Sequence, residues 1–214
     1  GRMFGSDIDY PSGVGVGATY VLLASATSNT VQIIDRTTGK TISMVHEFKT
    51  PVDAVEVDGR VFVLEAQTGS LLALEDMKGT KRKTIASGFT GPVAMVADGK
   101  GGVFVTSADG TITRVELNGG AKKIVASKLA GPEGIDIAPD GRLVVAEVGA
   151  KRVVSVDPST GAVTTIADEL AIGLPSPEGQ GPSFLTTGVA VAGDGTIYVA
   201  ADLTNAVLKI VPAK

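Results

Sequence analysis

The chain has 214 residues, 43% of them hydrophobic, a formal charge of -4 and no cysteine. That is enough chain to bury a sizeable core, no apolar run reaches the ~20 residues of a membrane-spanning helix, and the acidic balance excludes a general nucleic-acid surface, which needs a basic excess. Without cysteine there are no disulfides, thiol nucleophiles or Cys-held zinc, and the redox compartment stays open. The opening Gly1-Arg2-Met3 reads as a trimmed terminus from which any targeting segment has been removed.

From residue 10 onward one phrase recurs: a Pro-x-Gly-like opening, an apolar strand, an Asp-Gly-like turn, a second strand, a polar step and a third strand. Pro11, Pro51, Pro92 and Pro132 open four copies at intervals of 40, 41 and 40 residues, and Thr186 opens a fifth after an insertion at 171–185. Repeat 2 predicts strands at Val55 to Val57, Val61 to Glu65, Leu71 to Leu74 and Lys83 to Ala86. Repeat 3 predicts Met95 to Ala97, Val103 to Ser107, Ile112 to Val115 and Lys123 to Ala126. In repeat 4 they fall at Gly134 to Ala138, Leu143 to Glu147, Val153 to Asp157 and Val163 to Ala167. The turns between them pair Asp or Thr with Gly, as tight hairpins with positive φ require. Strands that are apolar throughout suit sheets covered on both faces.

A period near 40 with four strands per copy predicts an all-β fold, a β-propeller of about five four-stranded blades. It forms one domain over 1–214, with repeats starting near 10, 50, 91, 131 and 185. Repeat 5 ends after its third strand, so Arg2 to Ile8 is expected to complete it and close the ring. Six blades are the alternative if the chain is a truncated piece. The basic residues Lys78, Lys81, Arg82, Lys83, Lys122 and Lys123 fall at hairpin tips, where they keep sheet edges soluble.

Asn29 to Asp35 followed by Thr38-Gly39-Lys40 resembles a YVTN-type repeat. Gly131 to Ile137 through Asp140-Gly141, and Gly188 to Val191 through Asp194 to Val199, resemble NHL-type repeats. Together they are similar to the superfamily of gluconolactonase, senescence-marker-like and strictosidine-synthase-like proteins, over nearly the whole chain. The resemblance implies an exported protein, periplasmic or extracellular. It also implies a divalent metal, such as calcium, held by an early Glu, an Asn within Pro-Asn-Gly, and an Asp. This chain departs from that pattern, with Pro11-Ser12-Gly13 first and Pro132-Glu133-Gly134 carrying Glu where Asn would sit.

On a propeller, the residues opening each inner strand and those ending each second strand are expected on one face near the axis. By spacing the first set is Ser12, Val52, Val93, Glu133 and Thr187, and the second is Ser25, Glu65, Ser107, Glu147 and Ala201. Glu65, Glu133 and Glu147 make a candidate pole for a cation or a hydroxylated ligand, with Ser12 and Thr187 beside them. Glu133 and Glu147 are the candidate metal ligands; otherwise they are exposed rim residues. The insertion at 171–185 is expected to overhang the mouth, either as a lid that brings Glu178 to the axis or as a plain tolerated loop.

The only histidine, His46, ends an outer strand and is expected at a solvent-facing edge, so neither a His-based zinc cluster nor a Ser-His-Asp relay can form at the mouth. Gly13-Val14-Gly15-Val16-Gly17 has the look of a phosphate loop but no helix follows it. Two functions remain. One is a non-catalytic binding or interaction module that takes a small molecule or a protein at its central mouth. The alternative is a metal-dependent lactonase or esterase in which the carboxylates hold a cation that polarises a carbonyl and activates water. Aromatics are 4% of residues, so no stacking platform for sugars or bases is evident.

Overall fold

A computed structural model describes residues 10–175 and 186–211. They form a five-bladed β-propeller with almost no helix. Blade 1 comprises β1 (Gly13–Val16), β2 (Tyr20–Ser25), β3 (Thr30–Asp35) and β4 (Thr41–Val45). Blade 2 comprises β5 (Pro51–Val57), β6 (Arg60–Glu65), β7 (Ser70–Leu74) and β8 (Arg82–Ser87). Blade 3 comprises β9 (Pro92–Ala97), β10 (Gly102–Ser107), β11 (Thr111–Glu116) and β12 (Lys122–Ala126). Blade 4 comprises β13 (Pro132–Ile137), β14 (Leu143–Glu147), β15 (Arg152–Val156) and β16 (Val163–Ala167). Blade 5 shows β17 (Val189–Val191), β18 (Ile197–Ala201) and β19 (Ala206–Ile210), three strands among the described residues. Each sheet is an antiparallel meander in chain order. The segment expected to close the ring, Arg2 to Ile8, lies outside the described residues.

The second strands show why the sequence folds this way. In β6, Val61, Phe62, Val63 and Leu64 are all buried, because alternate side chains face two different neighbours. Val61 and Val63 join Leu22, Ala24, Val31 and Ile33 of blade 1, whereas Phe62 and Leu64 join Met95, Val103 and Val105 of blade 3. Phe104 then packs with Ile135 and Val145 of blade 4, and Val144 and Ala146 with Ile197 and Val199 of blade 5. The core is therefore a series of interfaces between successive blades. On the side of blade 5 turned away from blade 4, Tyr198 and Val207 are exposed.

The inner strands are longer than the sequence suggests, since β5, β9 and β13 begin at the opening prolines themselves. Pro51, Pro92 and Pro132 pair across to Glu65, Ser107 and Glu147, with a register irregularity beside each pair. A first strand position tolerates a residue with no N–H to donate. Gly15 has its own reason: a Cβ there would lie 2.0 Å from the Ala54 carbonyl oxygen, so glycine lets β1 approach β5 closely. The glycine run is thus a packing device.

His46 is exposed, as expected, with Nδ1 3.4 Å from Thr30 Oγ1. Two of the basic residues do more than solvate turns. Arg82 opens β8, stacks 4.0 Å over the Phe48 ring and donates to the carbonyls of His46 and Glu47. Lys122 opens β12 and lies 4.9 Å over Phe89.

Candidate binding site at the propeller axis

The inner strands β1, β5, β9, β13 and β17 face a common axis and enclose a cavity in two parts. The part beside the strand openings, about 160 Å³, is lined by residues including Ser12, Val52, Val93, Gly134, Thr186 and Gly188. The deeper part, about 450 Å³, is lined by Val14, Val55, Val96, Ile135 and Val189, with Glu56 and Asp136 as its acidic residues. Three of the five expected opening residues thus reach the axis.

An inner strand presents unpaired backbone N–H groups to the axis, and buried donors need acceptors. Carboxylates supply several. Asp53 accepts from the N–H of Ala54 and, across the blade boundary, from that of Met95, both at 2.8 Å. Asp136 does the same for Ile137 and Val191, both at 2.7 Å. Glu56 reaches back to the N–H groups of Thr19 and Tyr20 at 2.9 and 2.8 Å. Burial pushes Asp53 up to about 7 from an ordinary 3.8, against the opposing pull of its two N–H donors.

The expected acidic pole is not one cluster. Glu65 is buried in blade 2, where it accepts from Lys49 N–H and Thr68 Oγ1, both at 2.7 Å. Glu147 is buried in blade 4, where it accepts from Ala130 N–H at 2.7 Å and Arg152 Nε at 2.5 Å. Lys49 and Ala130 each stand two residues before the opening proline of their blade. Each glutamate therefore latches its blade to the linker that leads into it. The alternative of an exposed rim side chain does not hold for Glu147, because the linker covers it.

Glu133 and Thr187 do meet. Glu133 is half-buried rather than fully exposed, and it accepts from Thr187 N–H at 2.6 Å. Burial raises its pKa above the usual carboxylate value. Thr187 is fully buried and donates from Oγ1 to Asp202 at 3.3 Å; the same Asp202 oxygen accepts from Leu174 N–H at 2.7 Å. The second Asp202 oxygen is buried without a partner among the described residues. Asp202 follows the aligned Ala201, whose methyl cannot reach the linker, and ties blade 5 to Leu174 at the start of the insertion. Only an acid next to the aligned site signalled it.

Ser12 binds the carbonyls of Ala24 and Pro51 at 3.2 and 3.3 Å and accepts from Ala26 N–H, so it ties blade 1 to blade 2 as well as lining the cavity. Ile172 and Gly173, at the start of the insertion, are held by Lys151 Nζ through their carbonyls. The proposed lid tip and Glu178 lie outside the described residues. Among the described residues, no group of three or more His, Asp or Glu side chains could hold a metal ion. No helix among them is long and apolar enough to cross a membrane.

No protein-family model matches the chain, and no curated protein matches it in sequence. Solved structures do. A chain of a nidogen/laminin complex superposes with a TM-score of 0.73 at 16% identity, over 92% of this chain and 74% of that one. A streptogramin B lyase gives 0.66 at 13% identity, over 95% and 69%. Hydrazine synthase from Kuenenia stuttgartiensis gives 0.63 at 18% identity, over 93% of this chain and 58% of that one. At these identities the likeness is one of fold, and by fold the chain is a β-propeller.

Proposed function

We propose that the protein is a non-catalytic binding module that takes a small molecule or a partner's side chain at its axial mouth. The observation that carries this is how the acidic residues are used: Glu65, Glu147, Asp53 and Asp136 each accept from backbone N–H groups that secondary structure leaves unpaired. The axial lining is mostly valine, isoleucine and glycine. Such a surface favours an apolar ligand or an inserted side chain over polar chemistry. One likeness is to a chain of a protein complex, nidogen with laminin, a use consistent with a docking role. Export from the cytoplasm belongs to the same proposal and rests on the repeat resemblance alone.

The test uses a probe of apolar cavities. Anilinonaphthalene sulfonate fluorescence should rise on the native protein and fall back when Val93→Trp fills the mouth. Unchanged fluorescence with the native protein would count against an apolar mouth.

A second proposal, a metal-dependent lactonase or esterase, draws on one observation, the buried unpartnered oxygen of Asp202 close to Glu133. Calcium held only by the folded state would raise the Tm by mass action, by roughly 5 °C or more well above Kd. We expect no such shift with calcium, and none on adding chelator. A rise abolished by both Glu133→Gln and Asp202→Asn would transfer the function to the metal site.

A further inference from the structure

We infer that blade 3 carries a second binding site, off the axis, for a small organic carboxylate. It occupies the place where blades 2 and 4 insert a glutamate of their own, and it does not depend on the function proposed for the axial mouth.

The site follows from comparing the repeats with one another. Ser107 ends β10 and pairs with Pro92, as Glu65 pairs with Pro51 and Glu147 with Pro132. Its side chain is too short to reach the linker. The linker itself is unchanged. Phe89 and Leu129 donate to the carbonyls of Gly69 and Gly110, as Phe48 donates to that of Asn29. The carbonyls of Thr50, Gly91 and Gly131 accept from Ala66, Ala108 and Val148 in turn, and Thr50, Gly91 and Gly131 have matching φ angles of 58, 59 and 62°.

Thr90 lies between Phe89 and Gly91, so its N–H is held as those of Lys49 and Ala130 are held. In the sister blades this donor meets a carboxylate at 2.7 Å. In blade 3 the glutamate is missing and a cavity of about 290 Å³ stands there, lined by residues including Phe89, Thr90, Ser107, Asp109 and Lys122.

Two observations point to a ligand. Ser107 is 1% exposed, and its Oγ is buried with no hydrogen-bond partner among the described residues. A buried hydroxyl without a partner is costly, and with Thr90 N–H it makes a pair of donors, a linker N–H and a hydroxyl, of the kind that binds Glu65 in blade 2. The charges allow it. Asp109 has Oδ1 engaged by the N–H and Oγ1 of Thr111, and Lys122, whose Nζ lies over the Phe89 ring and donates to the Ser87 carbonyl, brings a cation to the cavity lining. The cavity exceeds a carboxylate in size, and the Phe89 ring gives a short apolar body something to lie against. A water molecule is the competing occupant.

Amide resonances of isotopically labelled protein, followed during addition of sodium acetate and sodium butyrate against sodium chloride at equal ionic strength, separate the two. The Thr90 amide should move downfield and saturate with the acids, butyrate binding tighter, and stay still with chloride. Ser107→Ala should weaken binding about fivefold by removing one donor. Ser107→Glu should move the Thr90 amide the same way without ligand, raise the Tm and abolish the response. A Thr90 amide that ignores both acids, or moves equally with chloride, would overturn the site, and the native protein's titration decides even if Ser107→Glu does not fold.

Discussion

Glu147→Ala is expected to destabilise the folded chain by about 2 to 3 kcal/mol, read as a fall in Tm of roughly 4 to 12 °C. The carboxylate is 3% exposed and bonds both to a linker N–H and to Arg152. Removing it leaves the Ala130 N–H without its acceptor and one face of the Arg152 guanidinium without its anion. Arg152 is 34% exposed and turns partly to water, which keeps the loss below the 3 to 5 kcal/mol of a fully buried pair. Glu147→Gln retains one acceptor oxygen and should lose less. A Glu147→Ala change below about 0.5 kcal/mol in urea denaturation would show that the linker does not depend on its latch.

The second large effect is a dependence on pH. Asp53 is buried, has no cation beside it among the described residues, and titrates near 7 in the folded chain against 3.8 in the ordinary state. Between those values the unfolded chain has released a proton that the folded chain keeps, so stability falls as pH rises from about 4 to about 7 and levels off above. At about 1.36 kcal/mol per unit, the total is at most about 4 kcal/mol. Glu133, also raised by burial, adds a fall of the same sign. Turn carboxylates such as Asp35, Asp76, Asp157 and Asp194 are held low by hydrogen bonds from neighbouring Ser, Thr and backbone N–H groups, so they titrate below this window with the opposite sign. Urea midpoints measured between about pH 5 and about pH 7 should decline for the native protein and flatten for Asp53→Asn. Equal slopes in the two proteins would remove Asp53 as the cause.

Much of the fold was legible because two local rules agree along the chain. Asp-Gly turns fix where strands end, and uninterrupted apolar strands such as Val61 to Leu64 require a neighbour on each face. The repeat comparison also brought Ser12, Val52 and Val93 correctly to the axis. It did not foresee what Glu65 and Glu147 do. Register irregularities between Pro51 and Asp53 and between Pro132 and Ile135 lie on the inner strands opposite the two glutamates, so the linker's position beside each glutamate does not follow from simple alternation along those inner strands. The partners of both glutamates also include main-chain N–H groups, which carry no side-chain signature. Asp202 escaped because alignment by strand length selects Ala201, and the contacts to Leu174 and Thr187 are made by the residue after it. The unmade bond at Ser107 becomes visible only once the linker of blade 3 is laid beside those of blades 2 and 4.

The alternation in β6 and its counterparts also makes each blade two-sided in a way that records its rank. Blade 2 offers small valines to the blade before it and a phenylalanine and a leucine to the blade after; blade 4 offers Leu143 and Val145 backward and Val144 and Ala146 forward. Two repeats so alike in outline are therefore not interchangeable parts. Exchanging the coding segments of blades 2 and 4 would bring unmatched shapes together at every altered joint, whereas moving the termini to another loop would leave each joint with its own partner.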